Sequence, residues 1–182
     1  MIVLGVDPGT LITGYGVLEG RGGKFRILEC DAIRNENTLS MPLRLERIFE
    51  RLTTVIEKYH PDEFAIETAF YGKNAQSALK LGHARGAAML AAVMRELPTT
   101  EYSPREVKKA IVGSGAASKE QVQYMVKTLL HMKTTPRFYD TTDALGVAIC
   151  HLHRRATEHG KFKDWKAFVK ANPKRVVSKS KP

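Results

Sequence analysis

The opening part of the chain alternates short apolar runs with turn residues, which is typical of β-strands. Residues 2–6 form an apolar run that ends in Asp7-Pro8-Gly9, and this predicts a buried strand entering a turn. Residues 13–18 and 25–33 are predicted as the next two strands, and the glycine-rich segment 20–23 is predicted as the turn that joins them. The chain therefore begins with three consecutive strands.

Further along, apolar residues recur every three or four positions, which is the spacing of amphipathic helices. Residues 43–59 are the clearest example. Helices are also predicted over residues 75–94, after Pro104, after the N-cap Ser118 with Gln121 at N3, and over residues 143–153.

Two short strands are predicted among these helices, at residues 64–66, ending at Glu67, and around residues 101–102. Three strands, a helix, a strand and then alternating elements predict an α/β layer fold with a mixed sheet. A length of 182 residues with 43% hydrophobic composition suits one domain with a full-sized core. We assign that domain to residues 1–159.

The predicted helix over residues 75–94 is rich in alanine and glycine, with Gly82 and Gly86 four positions apart. Small residues allow another backbone to approach closely. That backbone is either the chain's own sheet or the same helix of a second copy, in a surface that includes Ala87 and Leu90.

Net charge is +10, and it is unevenly distributed. Residues 1–72 carry a net charge of −3 and residues 138–159 carry −1, whereas residues 73–137 and the tail 160–182 carry +7 each. Two basic blocks beside carboxylates set among apolar residues are expected of a protein that binds a polyanion and acts on it. An ordinary lysine-rich surface is the alternative. The tail has no apolar period and is expected to be mobile.

The sequence shows no sign of a membrane span or a signal peptide, since no apolar run reaches the roughly 18 residues of a membrane helix. Cys30 and Cys150 are too few for a disulfide framework or a zinc cluster. We therefore expect a cytoplasmic protein with no membrane association.

Four acidic residues occupy positions that surface acids rarely take. Asp7 and Glu67 each end a predicted buried strand, and Asp140 and Asp143 lie three positions apart where the last helix is expected to begin. Ionised carboxylates gathered at one edge of a sheet need a compensating cation. Hard oxygen ligands of this kind suit Mg²⁺, and a pair of such ions would activate water for phosphodiester hydrolysis.

Each acid also has an ordinary structural interpretation. Asp7 fits an Asx-turn and Glu67 a strand-end acid paired with a lysine. Asp140 fits a helix cap, and Asp143 is favoured in a first turn by the helix dipole. The combination of all four favours the metal site.

The six histidines are scattered, and His151 and His153 point in different directions on a helix. We interpret all six as surface or phosphate-facing residues. The sequence contains neither the Gly-x-Gly-x-x-Gly dinucleotide signature nor a Walker loop.

Several motifs resemble those of the RuvC family of Holliday-junction resolvases, in order and at unbroken spacing. They are Gly5-Val-Asp-Pro-Gly-Thr10 with Thr13-Gly-Tyr-Gly-Val17, Phe64-Ala-Ile-Glu67 with Phe70 and the segment 73–82, the basic segment 106–126, and Asp140-Thr-Thr-Asp-Ala-Leu145. The resemblance extends from residue 2 to about residue 153 and leaves out the tail.

The resemblance implies a ribonuclease-H-like fold with a central mixed five-stranded sheet flanked by helices. It implies that Asp7, Glu67, Asp140 and Asp143 form the catalytic metal site, with two Mg²⁺ ions per subunit that Mn²⁺ can replace. It also implies that the DNA contacts come from Phe70, Lys73, Lys108 and Lys119. Phe70 would touch unstacked bases at the crossover, and a core aromatic is the alternative for that residue.

The resemblance implies an endonuclease that nicks four-way DNA junctions symmetrically, in recombination and DNA repair. Such enzymes act as homodimers, because paired nicks need two active sites related by a two-fold axis. The branch-migration proteins RuvA and RuvB are the partners that the family leads us to expect.

Three other functions are compatible with parts of the sequence. The Asp-Pro-Gly-Thr turn also resembles the phosphate-binding entry of actin-like ATPases and sugar kinases, but those proteins need two such domains. A non-catalytic junction-binding protein would use the basic surface and leave the acids without a role. A nuclease of the same fold could act on another nucleic acid, because fold does not determine substrate.

Overall fold

The structure is a computed structural model, and it describes residues 1–68, 75–132 and 138–160, the last four of them as backbone. Within these ranges the strands are Ile2–Asp7 (β1), Ile12–Arg21 (β2), Lys24–Arg34 (β3), Glu63–Glu67 (β4) and Thr99–Tyr102 (β5). The helices are Met41–Tyr59 (α1), Ala75–Val93 (α2), Pro104–Val112 (α3), Lys119–Leu129 (α4) and Tyr139–Gly160 (α5). Phe70, Lys73 and nearly all of the predicted basic tail lie outside the described residues.

The strands form one mixed five-stranded sheet, as predicted, and the structure adds their order, β3-β2-β1-β4-β5. β1 pairs antiparallel with β2, and β2 with β3, whereas β4 runs parallel to both β1 and β5. The carboxyl ends of β1, β4 and β5 therefore meet the amino end of β2 at one edge. Asp7 and Glu67 end two neighbouring strands at this edge.

Helices cover both faces of the sheet, and the alternation of side chains along β1 assigns each residue to a face. Val3 belongs to the core beneath α3, α4 and α5, whereas Leu4 and Val6 belong to the core beneath α1 and α2. All three side chains are fully buried. Because the sheet is buried on both faces, β1 is an unbroken apolar run in the sequence.

Helix α5 lies directly on the β1–β2 hairpin because glycines remove the side chains between them. A Cβ atom on Gly5 would lie 2.3 Å from the carbonyl oxygen of Ala144, and one on Gly14 would lie 2.0 Å from that of Asp140. Such distances are far below van der Waals contact, so only glycine fits at either position. The start of α5 is thereby held against the sheet edge where Asp7 ends β1.

Helix α5 is longer than the predicted segment 143–153, since it begins at Tyr139 and ends at Gly160. Asp140 is consequently inside the first turn of the helix. The apolar pattern did not reveal the extra turn at the start, because Tyr139 is exposed and Asp140 is polar. It did not reveal the later turns either, because residues 153–156 are not buried.

His151 contradicts the interpretation of all six histidines as surface or phosphate-facing residues. Its side chain is 1% exposed and lies on the inner face of α5. Glu63 also binds Arg155 and so accepts as a carboxylate, which means that His151 Nε2 donates to Glu63 at 2.7 Å. Nδ1 is then left to accept from the Tyr102 hydroxyl at 2.9 Å. Burial lowers the pKa of His151, which favours this neutral form.

The alanines and glycines of α2 lie on different faces of the helix. Ala84, Ala88 and Ala91 are fully buried against the core, whereas Cβ atoms added at Gly82 and Gly86 would meet nothing within 4 Å. The chain's own sheet is therefore approached through the alanines. The glycines lie on the solvent side of the helix.

Among the described residues, no helix is both long enough and apolar enough to cross a membrane.

Helix α1 is attached to the sheet by a polar cluster centred on Glu29 of β3. Lys58 and Tyr59 each donate to Oε2 of Glu29 at 2.7 Å, and Tyr15 donates to Oε1 at 2.8 Å. Burial alone would raise the pKa of Glu29, but these hydrogen bonds outweigh it and lower the pKa to about 2. The ionised carboxylate is thus the form that the fold stabilises.

We predict that Glu29→Gln lowers the free energy of unfolding at neutral pH by about 1–2 kcal/mol, a figure reduced for partial solvent exposure. Because the folded-state pKa lies below the ordinary value, the contribution is complete above pH 4.5 and disappears as pH falls towards about 2. Urea unfolding of both proteins across this pH range measures the difference. Glu19→Gln is the control, since its ion pair with Arg26 is open to solvent and should matter little. A constant difference across the pH range would contradict the assignment.

Candidate active site

Four carboxylates meet at the edge of the sheet where β1 and β4 end. Asp7 and Glu67 are brought together by the parallel register of their strands, in which Val6 pairs with Ile66. Asp140 lies in the first turn of α5, and Asp143 follows it three residues later on the same side of the helix. Asp7 is also paired with Gly14, the residue whose backbone touches that of Asp140. The four acids that the sequence singled out are therefore neighbours in space.

Burial and mutual repulsion both disfavour ionisation of the acids in this cluster. Burial raises the pKa of Asp7 to about 8, and the charges of Glu67, Asp143 and Asp140 add to this effect. Burial likewise raises the pKa of Glu67 to about 7, with a further contribution from Asp143. Each carboxylate thus makes ionisation of its neighbours less favourable, which is the expected result when like charges share a poorly solvated site.

Two lysines lie beside the acids and partly offset their charge. Lys119, the first residue of α4, places its Nζ atom 2.8 Å from Oδ2 of Asp143. Lys108 of α3 and Lys119 both line a hollow of about 180 Å³ whose wall also contains Glu67 and Asp143. The positive charge of Lys119 opposes the rise in the pKa of Asp7, and the charges of both lysines oppose the rise in the pKa of Glu67.

Capping boxes at the starts of α3 and α4 fix the directions from which these lysines reach the site. Ser103 and Glu106 cap α3, and Ser118 and Gln121 cap α4, each with reciprocal hydrogen bonds between side chain and backbone. The box at Ser118 was predicted from the sequence. The Ser103 box was not, although Ser-Pro-Arg-Glu carries the same signal.

The donor set fits a hard divalent cation. The side chains that converge here offer carboxylate oxygens, which Mg²⁺ prefers, and the raised pKa values of Asp7 and Glu67 indicate that a cation would stabilise their ionised forms. Within residues 1–68, 75–132 and 138–156, no three acidic, histidine or cysteine side chains are already close enough to share one ion. Side-chain rotation would be needed to gather Asp7, Glu67 and the α5 acids onto one centre, with Asp143 leaving Lys119.

Tyr139, which was not among the predicted site residues, lies at the rim of this site immediately before Asp140. Its side chain is 60% exposed, and the Nζ atom of Lys119 lies 5.6 Å from the centre of its ring. An exposed aromatic directly before the acidic pair was the signal available. Phe70 and Lys73, the other predicted contacts, lie outside the described residues.

Comparison with known proteins gives a consistent result. Residues 3–151 match the family described as crossover junction endodeoxyribonuclease RuvC. The chain is 47% identical over 177 residues to the crossover junction endodeoxyribonuclease RuvC of Salinibacter ruber. The aligned region covers 97% of this chain and 99% of that protein. It is 52% identical over 156 residues to that of Saccharophagus degradans, covering 86% of this chain and 90% of the relative.

The chain belongs to the RuvC family.

Solved structures agree with this assignment. Thermus thermophilus RuvC in complex with a Holliday junction substrate superposes with a TM-score of 0.83 at 33% identity, covering 87% of this chain and 96% of that one. The yeast mitochondrial resolvase Ydc2 shares the fold, with a TM-score of 0.60 at 15% identity over 86% of this chain and 82% of its own. The ribonuclease-H-like fold predicted from the sequence is confirmed, as is membership of a family of metal-dependent nucleases.

The crowding of acids predicts that the site costs stability when no divalent cation is bound. The raised folded-state pKa of Asp7 means that this cost is absent below pH 3.8 and grows as pH rises to about 8. Asp7→Asn should therefore increase the free energy of unfolding by about 1–3 kcal/mol at the upper end of that range in a chelating buffer. Adding millimolar Mg²⁺ should raise the melting temperature of the wild type more than that of the variant.

The control is Glu46→Gln, which removes a solvent-exposed carboxylate from α1 and should change stability by less than about 0.5 kcal/mol. Calorimetry with and without Mg²⁺ gives both quantities for each protein. If Asp7→Asn destabilised the metal-free protein at every pH, the carboxylate would be an ordinary structural group.

Proposed function

We propose that this chain resolves four-way DNA junctions by metal-assisted hydrolysis of phosphodiester bonds at the acidic site. The observation that carries the proposal is the meeting of Asp7, Glu67, Asp140 and Asp143 beside Lys108 and Lys119. Membership of the RuvC family supports the substrate, since its Thermus thermophilus relative was solved with a Holliday junction. Recombination and DNA repair are the processes that generate such junctions.

The four acids form two pairs that extend into the proposed metal site from different elements of the fold. Asp7 and Glu67 extend from the sheet, and Asp140 and Asp143 from α5. Together they would hold two Mg²⁺ ions per subunit, with Mn²⁺ as a substitute. When bound, such ions lower the pKa of an attacking water and stabilise the leaving oxygen. Because the acids are partly buried, bulk water screens their electrostatic interaction with the ions less strongly.

The lysines have a separate role in this proposal, which is to hold the backbone of the DNA. Lys119 pairs with Asp143. Bound divalent cations would neutralise the negative charge of Asp143 in place of Lys119. The ammonium of Lys119 would then be available to bind a phosphate oxygen. Lys108 approaches from the neighbouring helix and would bind the same strand. Phe70 and Lys73 are proposed as further contacts at the crossover.

The outer face of α2 supports a proposed homodimer. It presents exposed apolar side chains at Leu79, Leu90 and Val93 beside the open surface of Gly82 and Gly86. Monomeric proteins seldom expose such a stripe, and two copies packed through it would bury the apolar groups. A two-fold axis there would give the two active sites that paired nicks require.

The remaining expectations concern the surroundings of the enzyme. We propose RuvA and RuvB as its branch-migration partners, and the cytoplasm, where the free thiols Cys30 and Cys150 are stable, as its location. The tail 160–182, with a net charge of +7, is proposed to add non-specific affinity for DNA. The match to the family ends at residue 151, before this tail begins.

The central prediction is loss of cleavage without loss of binding. Asp7→Asn, Glu67→Gln and Asp140→Asn should each slow junction cleavage by at least about 100-fold, because each removes a charge needed to hold the metal. Asp143→Asn should also slow cleavage, since its carboxylate is one of the four proposed metal ligands. Single-turnover cleavage of a four-way junction with Mg²⁺, together with binding in a chelating buffer, separates the two properties.

A linear duplex and an RNA–DNA hybrid of matched sequence serve as control substrates. If the wild type cut the hybrid in preference to the junction, an RNA–DNA hybrid would be the substrate. If the wild type bound junctions without cutting them, the protein would be a non-catalytic junction-binding protein. If Asp7→Asn cut junctions at nearly the wild-type rate, the proposed mechanism would be wrong.

The dimer is tested by Gly86→Phe, because the subunit itself has room for a larger side chain there. We expect the variant to fold normally but to sediment as a monomer at micromolar concentration and to cut the two strands of a junction independently. Glu46→Phe, which adds the same bulk to an exposed position on α1, should remain dimeric. A wild-type protein that is monomeric with and without junction DNA would remove the basis for paired cutting.

A further inference from the structure

The rim of the acidic site carries an aromatic ring and a cation that together match the chemistry of one nucleotide. Tyr139 precedes Asp140 at the start of α5, and 60% of its side chain is exposed. The ammonium of Lys119 lies 5.6 Å from the centre of its ring. A nucleotide combines a flat base with an anionic phosphate on a short sugar linker. A phosphate bound by Lys119 would therefore have its base within reach of Tyr139.

Tyr139 is far more exposed than two tyrosines that belong to the core. Tyr15 and Tyr102 are buried, and their hydroxyls are used in hydrogen bonds to Glu29 and His151. Tyr139 instead leaves most of its ring in solvent beside the reacting groups. Aromatic faces of this kind are the usual platforms for unstacked bases in proteins that bind single-stranded nucleic acid.

We propose that Tyr139 stacks on a base that flanks the scissile phosphate and so contributes to the choice of cutting sequence. The inference rests on the proposed function, because it takes the strand held by Lys119 as the strand that is cut. Phosphate contacts position DNA but carry no sequence information, whereas contacts to bases do. Stacking strength differs among the bases, so a single platform next to the metal site favours some sequences over others.

The test uses immobile junctions that differ only in the bases flanking the phosphate that the wild type cuts. Tyr139→Ala should lower kcat/KM for the preferred sequence by about 5- to 100-fold, the usual loss when one stacking aromatic is removed. The ratio of rates between preferred and disfavoured sequences should fall towards one. Tyr139→Phe keeps the ring, so both quantities should stay within about 3-fold of the wild type.

Two further variants separate stacking from other effects of the substitution. Tyr139→Leu keeps apolar bulk but has no aromatic face, and it should behave like Tyr139→Ala. Tyr124→Ala removes another exposed tyrosine, 71% exposed, from the hollow that also contains Val112 and Met125. That hollow is separate from the one lined by Glu67 and Asp143, so the sequence preference should not change.

A second measurement does not depend on cleavage. Junctions carrying 2-aminopurine at the base next to the cut site are bound to Asp7→Asn protein with and without the additional change Tyr139→Ala. We expect fluorescence to be quenched by the Tyr139 protein and to be recovered, by at least about 2-fold, in the double variant. With 2-aminopurine placed in turn at each base around the crossover, this readout also tests the stacking contact if the wild type binds junctions but fails to cut them.

Three results would overturn the inference. Tyr139→Ala could retain the full sequence preference. It could slow all sequences equally, which would mean that it acts only through Lys119 and the phosphate. Finally, the 2-aminopurine signal could be the same with and without the tyrosine ring at every position next to the cut site.

Discussion

The contact between α5 and the β1–β2 hairpin is the constraint on which the active site depends. Glycines at positions 5 and 14 allow the helix backbone to touch the strands, with no side chain to hold the two apart. The contact brings the first turn of α5 to the edge where Asp7 and Glu67 end their strands. A larger residue at Gly14 would push Asp140 away and separate the two pairs of acids. The close packing and the acidic cluster are therefore consequences of the same few residues.

The sequence was sufficient to predict the sheet, the helices and the acids, because each has a local signal. Apolar runs ending in Asp7 and Glu67 mark strand ends, and Ser118 with Gln121 marks the start of α4. The long-range features were not predicted. His151 is on the buried face of α5, but nothing near it in sequence indicates Glu63 or Tyr102, which are 88 and 49 residues away. The pairing of Lys119 with Asp143 likewise depends on how two helices approach each other.

The boundaries of α5 also could not be predicted fully from the sequence. Periodicity reflects the burial of apolar side chains, so it predicted α5 only where the covered residues are apolar. The first turn of α5 also lies against the β1–β2 hairpin, but its buried residues are the polar Thr141 and Thr142. An apolar pattern therefore represents this turn poorly, and Asp140 and Asp143 were recognised by their spacing instead.

One face of the sheet carries interactions that stabilise the fold, and the other face carries the acids of the proposed active site. On one face, the Glu29 cluster attaches α1 with its charge fully compensated, and the pKa of Glu29 is low. On the other face, the acids at the start of α5 are crowded, and the pKa of Asp7 is raised to about 8. A group whose pKa is lowered by folding stabilises the protein at neutral pH, and a group whose pKa is raised does the opposite. The interactions of α1 therefore offset the loss of folding stability caused by the crowded acids at the start of α5. A bound cation would remove the repulsion between those acids, and the relief of that repulsion would contribute to the affinity for the metal.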